Sequence, residues 1–416
     1  MSENKTSKGF SRRGFLQTIG LASGAAVVAP FTGVSIGSAV AKSVFGGAPI
    51  KVGVIMQRGS WTTESALSGM LLHLKEINNT VGGRPVQLIV EEIGKGTGSL
   101  AAKTAKLVEK DNVDVVIANV NSRAAQSVRE YVDTHKVAFV EMNAGEVITA
   151  HSAVSPTYFR STLNLWQAHA AMGTWAANTI GKKASILTSF ANSGFDFHPA
   201  FQLGFEAAGG TIVSHRVTGS PTGADHPMLA ISDLPKNQAD VLYASYSDQS
   251  AYGFVQAFKS SGLDTPVLGT NFHEGLHGAS SNAAQLSGSR YAGSWSVNMK
   301  NAENASFVKS YEKFAGKSAD EFAVLGNDTL RMVLAAAQRN TNIAEGLLEV
   351  GLTGPRGEMR FDKTSHSLLT QVFLIEDNAS GAKITELEYA ASTRATAAAS
   401  TVSGLKSGWL NSYLAG

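Results

Sequence analysis

The residues best equipped for chemistry sit in a few short stretches. His273-Glu274-Gly275-Leu276-His277 is a literal H-E-x-x-H, which on a helix puts two imidazoles on one face for Zn²⁺ with the glutamate as general base. Gly269, Gly275 and Gly278 flank or interrupt it, no apolar helical face follows, and no third histidine lies six residues beyond His277. A peptidase centre is therefore the lesser reading, and His273 or Glu274 is expected to line a cleft instead. Gly94-Lys95-Gly96-Thr97-Gly98-Ser99 lacks the G-x-x-x-x-G-K-[ST] order of a phosphate loop and reads as a surface loop. Asn121-Ser122-Arg123 falls where a strand gives way to a helix, so Ser122 can cap that helix, whose free N–H groups favour an anion. Arg58 and Trp61 share the loop after the first strand of the chain's main body. They offer a bidentate partner for a carboxylate and an apolar cover for a ligand side chain.

These candidates need a scaffold, and the hydrophobic pattern supplies one. Short apolar runs at 51–55, 86–90, 113–118 and 137–140 alternate with helical periods such as Leu67, Met70, Leu71, Leu74 and Ile77. The alternation restarts after a helix carrying Trp166, Met172 and Trp175, with strands expected at 184–190, 211–217, 239–246 and 266–270. Two successive βα series in 416 residues predict an α/β protein of two doubly wound parallel-sheet lobes.

Composition narrows the function classes. The chain has no cysteine, which excludes disulfides, thiolate metal sites and a catalytic thiol. The first 41 residues hold four basic residues and one acid, and without them the chain has 31 basic and 32 acidic residues, too balanced for a nucleic-acid binder. Ser11-Arg12-Arg13-Gly14-Phe15-Leu16, a weakly apolar stretch and Ala39-Val40-Ala41 read as a twin-arginine signal peptide over 1–41, which predicts export to a periplasm. Residues 391–416, rich in Ala, Ser and Thr, read as a C-terminal tail.

Gly53 to Ile55, then Ser68-Gly69 opening toward Glu76-Ile77-Asn78, then Gly82-Gly83-Arg84-Pro85-Val86-Gln87-Leu88 resemble the branched-chain amino-acid type of solute-binding protein from bacterial ABC importers. The resemblance runs from about Ile50 to about Glu388. It implies two lobes joined by three crossover strands, near 159–162, 291–297 and 354–361, with a ligand held between them. Lobe 1 would be 50–161 plus 296–354 and lobe 2 would be 162–295 plus 355–390. It also implies that Ser122 holds a ligand carboxylate, that backbone groups of the loop Asn143-Ala144-Gly145 hold the ligand's carboxylate and amine, and that Tyr246 and the Ser193 turn approach from the other lobe. Asn271 stands where relatives carry an acid for an α-amine, so with Arg58 it hints at an organic acid or amide. The implied partners are a small polar ligand and a membrane permease, with no cofactor and a monomeric carrier. An exported enzyme and a periplasmic sensor subunit are the alternatives.

Overall fold

The computed structural model describes residues 34–36, 47–94, 99–120, 122–143, 155–193, 197–219, 231, 238–272, 286–378 and 381–388. Residues 1–33 and 37–46, which include all of the expected signal but 34–36, residues 95–98 and 144–145, the H-E-x-x-H stretch and 391–416 lie outside them. In chain order the elements begin with β1 (Val34–Ile36), β2 (Ile50–Gln57), α1 (Trp61–Glu76), β3 (Thr80–Val81), β4 (Arg84–Ile93) and α2 (Leu100–Ala105). They continue with β5 (Val115–Asn119), α3 (Ser122–Gln126), α4 (Arg129–His135), β6 (Ala138–Asn143) and β7 (Tyr158–Thr162). Next come α5 (Leu165–Thr179), β8 (Lys183–Ser189), α6 (Phe190–Ser193), α7 (Phe197–Ala207), β9 (Thr211–Thr218), β10 (Val241–Ser245), α8 (Asp248–Ser261), β11 (Val267–Gly269) and β12 (Arg290–Gly293). The chain then runs through α9 (Ala302–Ala315), α10 (Glu321–Arg339), α11 (Ile343–Glu349), β13 (Gly351–Gly354), β14 (Gly357–Phe361), β15 (Leu368–Leu369), β16 (Phe373–Asn378) and β17 (Gly381–Glu386).

The first sheet has the order β1-β4-β2-β5-β6-β7, and β2, β4, β5, β6 and β7 run parallel. The second has the order β17-β16-β12-β11-β10-β8-β9, parallel from β12 to β9 and antiparallel at β16 and β17. The expected doubly wound α/β architecture is present in both lobes. Near-continuous apolar strands explain why, because each sheet is covered on both faces. On one face of the first sheet Val52, Leu88, Ile117 and Val140 meet Met70, Leu74, Leu330 and Val333. On the other, Ile55, Val116 and Phe139 meet Leu107, Ala125 and Val132. The second sheet repeats this with Ile186, Tyr243 and Leu268 on one face and Leu187, Leu242, Phe254 and Phe258 on the other.

Each lobe also crosses a pair of helices through reciprocal glycines. A methyl group on Gly69 of α1 would lie 1.9 Å from the Ala323 carbonyl oxygen, and one on Gly326 of α10 would lie 2.0 Å from that of Ala66. In lobe 2 a methyl on Gly173 of α5 would lie 2.1 Å from the Phe201 oxygen, and one on Gly204 of α7 would lie 1.9 Å from that of Ala170. Backbone packs on backbone at both crossings, so only glycine fits.

One element departs from the sequence reading. Phe190 opens a helix instead of ending the strand expected over 184–190, and the helical segment after β5 is in two pieces, α3 and α4. β1 lies upstream of the cleavage site expected at Ala41, with Val34 opposite Val90, so processing there would leave β4 at the sheet edge.

The chain passes between the sheets after β7, after β12 and after β15. The third passage is later than the 354–361 expected, because Met359, Phe361 and Leu368 pack into the first core and the second sheet is re-entered only at Phe373. Residues 357–369, divided into the second lobe by sequence, therefore pack with the first. The first and third passages are tied together. Asn164 Nδ2 donates to Thr370 Oγ1 at 2.8 Å, and the Arg160 guanidinium donates to Ser367 Oγ. Arg356, with no exposed surface, donates to the Thr162 carbonyl at 2.8 Å and to Asp328 Oδ2 at 2.9 Å. At the second passage buried Asn304 accepts from Trp295 Nε1 at 2.6 Å and donates to the carbonyls of Ser296, Val297 and Met299.

Lobe 2 buries His169, bonded to the Tyr243 hydroxyl at 2.9 Å, and sets His198 beside His215 with ring centroids 4.9 Å apart. Burial pushes His169 down to about 3 and His198 well below its ordinary value. The native state keeps these rings neutral while the unfolded chain protonates near pH 6.5, so their stabilisation is complete above that value and declines as pH falls toward about 3. One fully neutral-locked histidine costs about 2 kcal/mol at pH 5. Urea midpoints should therefore be clearly lower at pH 5 than at pH 7.5, and equal midpoints would contradict this account.

Candidate functional site

In both sheets the parallel strands share one order, with the first strand of the series flanked by the second on one side and the third on the other: β4-β2-β5-β6-β7 and β9-β8-β10-β11-β12. The direction of winding reverses between β2 and β5 in lobe 1 and between β8 and β10 in lobe 2. Loops leaving the carboxyl ends of the strands diverge there, which opens a crevice in each sheet. Register fixes the crevice walls. Met56 pairs with Asn119 and Asn119 with Met142, so Arg58, Ser122 and Asn143 stand at one edge. In lobe 2, Thr188 pairs with Ser245 and Ala244 with Gly269, so residues 190–193, Tyr246 and Asn271 leave the corresponding edge.

Side chains then separate contacts from packing. Arg58 is largely exposed and donates through Nε to Glu92 Oε2 at 2.8 Å, so a neighbouring strand end already supplies its carboxylate. Trp61 opens α1 and packs edge-on against Phe322, centroids 5.4 Å apart at 88°. Ser122 opens α3 directly after β5. Asn143 is buried; its amide donates to the Glu141 carboxylate and, at 3.4 Å, to the Val120 carbonyl, while its own carbonyl accepts from Leu163 N at 3.1 Å. Its side chain is thus tied inside lobe 1. Ala144 and Gly145 lie outside the described residues.

Two lobe-2 residues are placed differently from the ligand-contacting roles implied for them. Tyr246 is fully buried, stacked on Phe254 at 4.7 Å between centroids, with its hydroxyl 2.8 Å from Thr218 Oγ1. Burial pushes that hydroxyl far above its ordinary value. The strand ends one residue before Tyr246, and this turns the ring under α8 into the core. Ser193 is buried too, and its hydroxyl donates to the Phe190 carbonyl at 2.7 Å, closing the short helix α6.

Asn271 crosses between the lobes. Its Nδ2 donates to Glu321 Oε1 at 3.2 Å, and Glu321 is the first residue of α10, which packs on α1. The next residue, Phe322, holds Trp61. Trp61 from lobe 1 and Asn271 from lobe 2 thus each contact one member of the consecutive pair Glu321-Phe322. The hydrophobic periodicity of α10 starts after Glu321, so no motif marked it.

Sequence reasoning also passed over the polar cluster at the lobe-2 switch point. Asn192 Oδ1 accepts from Ser189 Oγ at 2.7 Å and from Ser247 Oγ at 3.1 Å, joining the turn after β8 to the one after β10. Ser247 and Ser250 form a reciprocal capping box on α8, and that S-x-x-S spacing was the available signal. Two other cavities, of about 480 and 420 Å³, lie away from the strand ends, one beside Trp175 and Arg290 and one beside Thr353 and Arg360.

Two α/β lobes with matching switch points, joined by three passages of the chain, define a two-lobed binding protein. The family model described as periplasmic binding protein matches residues 49–382, and the chain belongs to that family. Solved structures agree in fold. A substrate-binding protein of an ABC transporter from Sphaerobacter thermophilus is 24% identical with a TM-score of 0.70, covering 82% of this chain and 97% of its own. A Rhodopseudomonas palustris solute-binding protein in complex with benzoate is 23% identical with a TM-score of 0.67, over 82% and 96%. The substrate-binding protein LivJ of Streptococcus pneumoniae, in complex with isoleucine, is 18% identical with a TM-score of 0.67, over 81% and 99%. No curated protein matches the chain. Among the described residues no helix is long and apolar enough to cross a membrane.

Proposed function

We propose that this protein is the periplasmic solute-binding component of an ABC importer. It captures one small polar ligand, an amino acid, organic acid or amide, between its lobes and presents the closed form to a permease. The observation that carries this reading is the family match over residues 49–382 together with two sheets whose switch points are built alike. The benzoate and isoleucine complexes among its structural neighbours support a carboxylate as the shared handle. Trp61, Ser122, Asn271 and the loop beginning at Asn143 are the lining we propose, with backbone groups of that loop in place of the Asn143 side chain. No bond is made or broken, because closure alone couples ligand contacts from two lobes. The proposed export route is the twin-arginine signal.

The test is a thermal-shift and titration screen of amino acids and aromatic carboxylates on protein stripped of bound solute by unfolding and refolding. One ligand class should raise Tm and bind 1:1, and a flat response across both classes would count against the reading. Ser122→Ala and Asn271→Ala should each weaken that binding about tenfold, whereas Tyr246→Phe should leave it unchanged and lower stability by about 1 kcal/mol through its lost hydrogen bond. Tighter dependence on Tyr246 than on Ser122 would reverse the assignment.

A further inference from the structure

A carboxyl group of one lobe stands against the other lobe. Glu321 receives the Asn271 amide at 3.2 Å, and among the described residues no lysine or arginine pairs with it. The charged and titratable groups around it are few. Asp320, the helix cap, accepts from Ala323 N at 2.9 Å and from the Ser65 hydroxyl, and lies 3.7 Å from Lys317 Nζ. Tyr311 shares Ser65 with Asp320, and Glu64 stands in the first turn of α1. On the lobe-2 side Asn271 is flanked by buried Thr270 and Phe272, while His273 and Glu274 lie outside the described residues. A carboxylate there receives the Asn271 amide and stands beside the like charge of Asp320.

We propose that Glu321 is a specificity-determining residue of the cleft, the lobe-1 half of an interlobe latch, selecting a solute that brings a cationic or N–H/O–H donor to this carboxylate over one that brings only an anion. This rests on the solute-binding reading given above and names the chemistry of one side of that site. Asn271 alone lacks the charge to hold an ammonium group, and Glu321 restores it from the opposite lobe.

The latch has a signature that needs no ligand. Partial burial between the lobes, opposed by the Asn271 amide and reinforced by Asp320, raises the Glu321 carboxyl from 4.5 to about 7 with the lobes in contact as they are here. Opening the cleft returns the group to water and to its ordinary value, so closure takes up a proton between about pH 4.5 and 7. The closed form is then most favoured at low pH, loses ground as pH rises through that window, and levels off above it. A bound cation replaces the proton and removes the dependence.

The chain contains no cysteine, so Glu130→Cys on exposed α4 and Lys259→Cys on exposed α8 allow one spin label on each lobe of the full, ligand-free protein. The ratio of short to long interlobe distances should fall roughly tenfold or more between pH 5 and pH 8 in the wild type, because uptake of one proton on closure makes that ratio follow the proton concentration across the window. Glu321→Gln should flatten that response at the closed end, and Asn271→Asp, which sets a second carboxylate against Glu321, should bias the lobes open at pH 8. A wild-type ratio independent of pH, or a Glu321→Gln variant that titrates like wild type, would overturn the latch. A protein that titrates as expected but binds neither amino acids nor aromatic carboxylates would count against the proposed function and the solute selectivity built on it, and leave only the interlobe contact of Glu321 standing.

Discussion

Replacing Arg356 with alanine should destabilise the protein by about 3–5 kcal/mol, the usual cost of removing one partner from a fully buried ion pair. Neither Arg356 nor Asp328 has exposed surface, and the guanidinium bonds the Asp328 carboxylate at 2.9 Å and the Thr162 carbonyl at 2.8 Å. Burial drives the Asp328 carboxyl above its ordinary value despite the opposing charges of Arg356 and Arg331. Without Arg356 the nearest cation is Arg331, 3.6 Å from Asp328 Oδ1, and the Thr162 carbonyl loses its donor at the first passage between lobes. Urea denaturation of Arg356→Ala reads the loss directly. The double variant Arg356→Met, Asp328→Leu should recover much of it, because apolar packing of similar volume avoids the stranded charge. A single variant within 1 kcal/mol of wild type would show that water solvates this site.

Gly204→Val should be at least as damaging, more than about 4 kcal/mol, or prevent folding at 37 °C, through overpacking at a backbone contact. A Cβ there would lie 1.9 Å from the Ala170 carbonyl oxygen, and the opposing Gly173 leaves α5 no room to withdraw. The equivalent crossing in lobe 1 makes the same forecast for Gly326→Val, with Ala66 as the obstructing residue. By contrast Gly253→Ala, on α8 where an added Cβ meets nothing within 4 Å, should be neutral or slightly stabilising through helix propensity. Soluble yield and Tm for the three variants decide the matter, and a stable Gly204→Val protein would mean that the helices separate cheaply.

How much of this was legible beforehand follows from what a linear pattern encodes. The strands were readable because sheets covered on both faces demand uninterrupted apolar runs such as Val115–Asn119, and the two βα series announced two lobes. The third passage was read too early because Met359, Phe361 and Leu368 alternate like any strand, and nothing in that alternation says which core receives them. Tyr246 was misplaced by a similar blindness: an aromatic at a strand end serves cleft or core according to a single residue of register. Glu321 was invisible because its role depends on Asn271, 50 residues away in the chain and on the opposite lobe. The reciprocal glycines were likewise unmarked, since neither member of a pair means anything without the other.

The central claim is that one small solute is held between the lobes by Trp61, Ser122 and Asn271. Native mass spectrometry of the protein extracted from a periplasm tests it most directly. The account predicts a single 1:1 adduct of small-molecule mass, released on unfolding and lost from the Trp61→Ala, Asn271→Ala double variant while circular dichroism stays unchanged. An adduct that persists in a folded double variant, or a wild-type protein that carries none and gains none from amino acids or aromatic carboxylates, would contradict it.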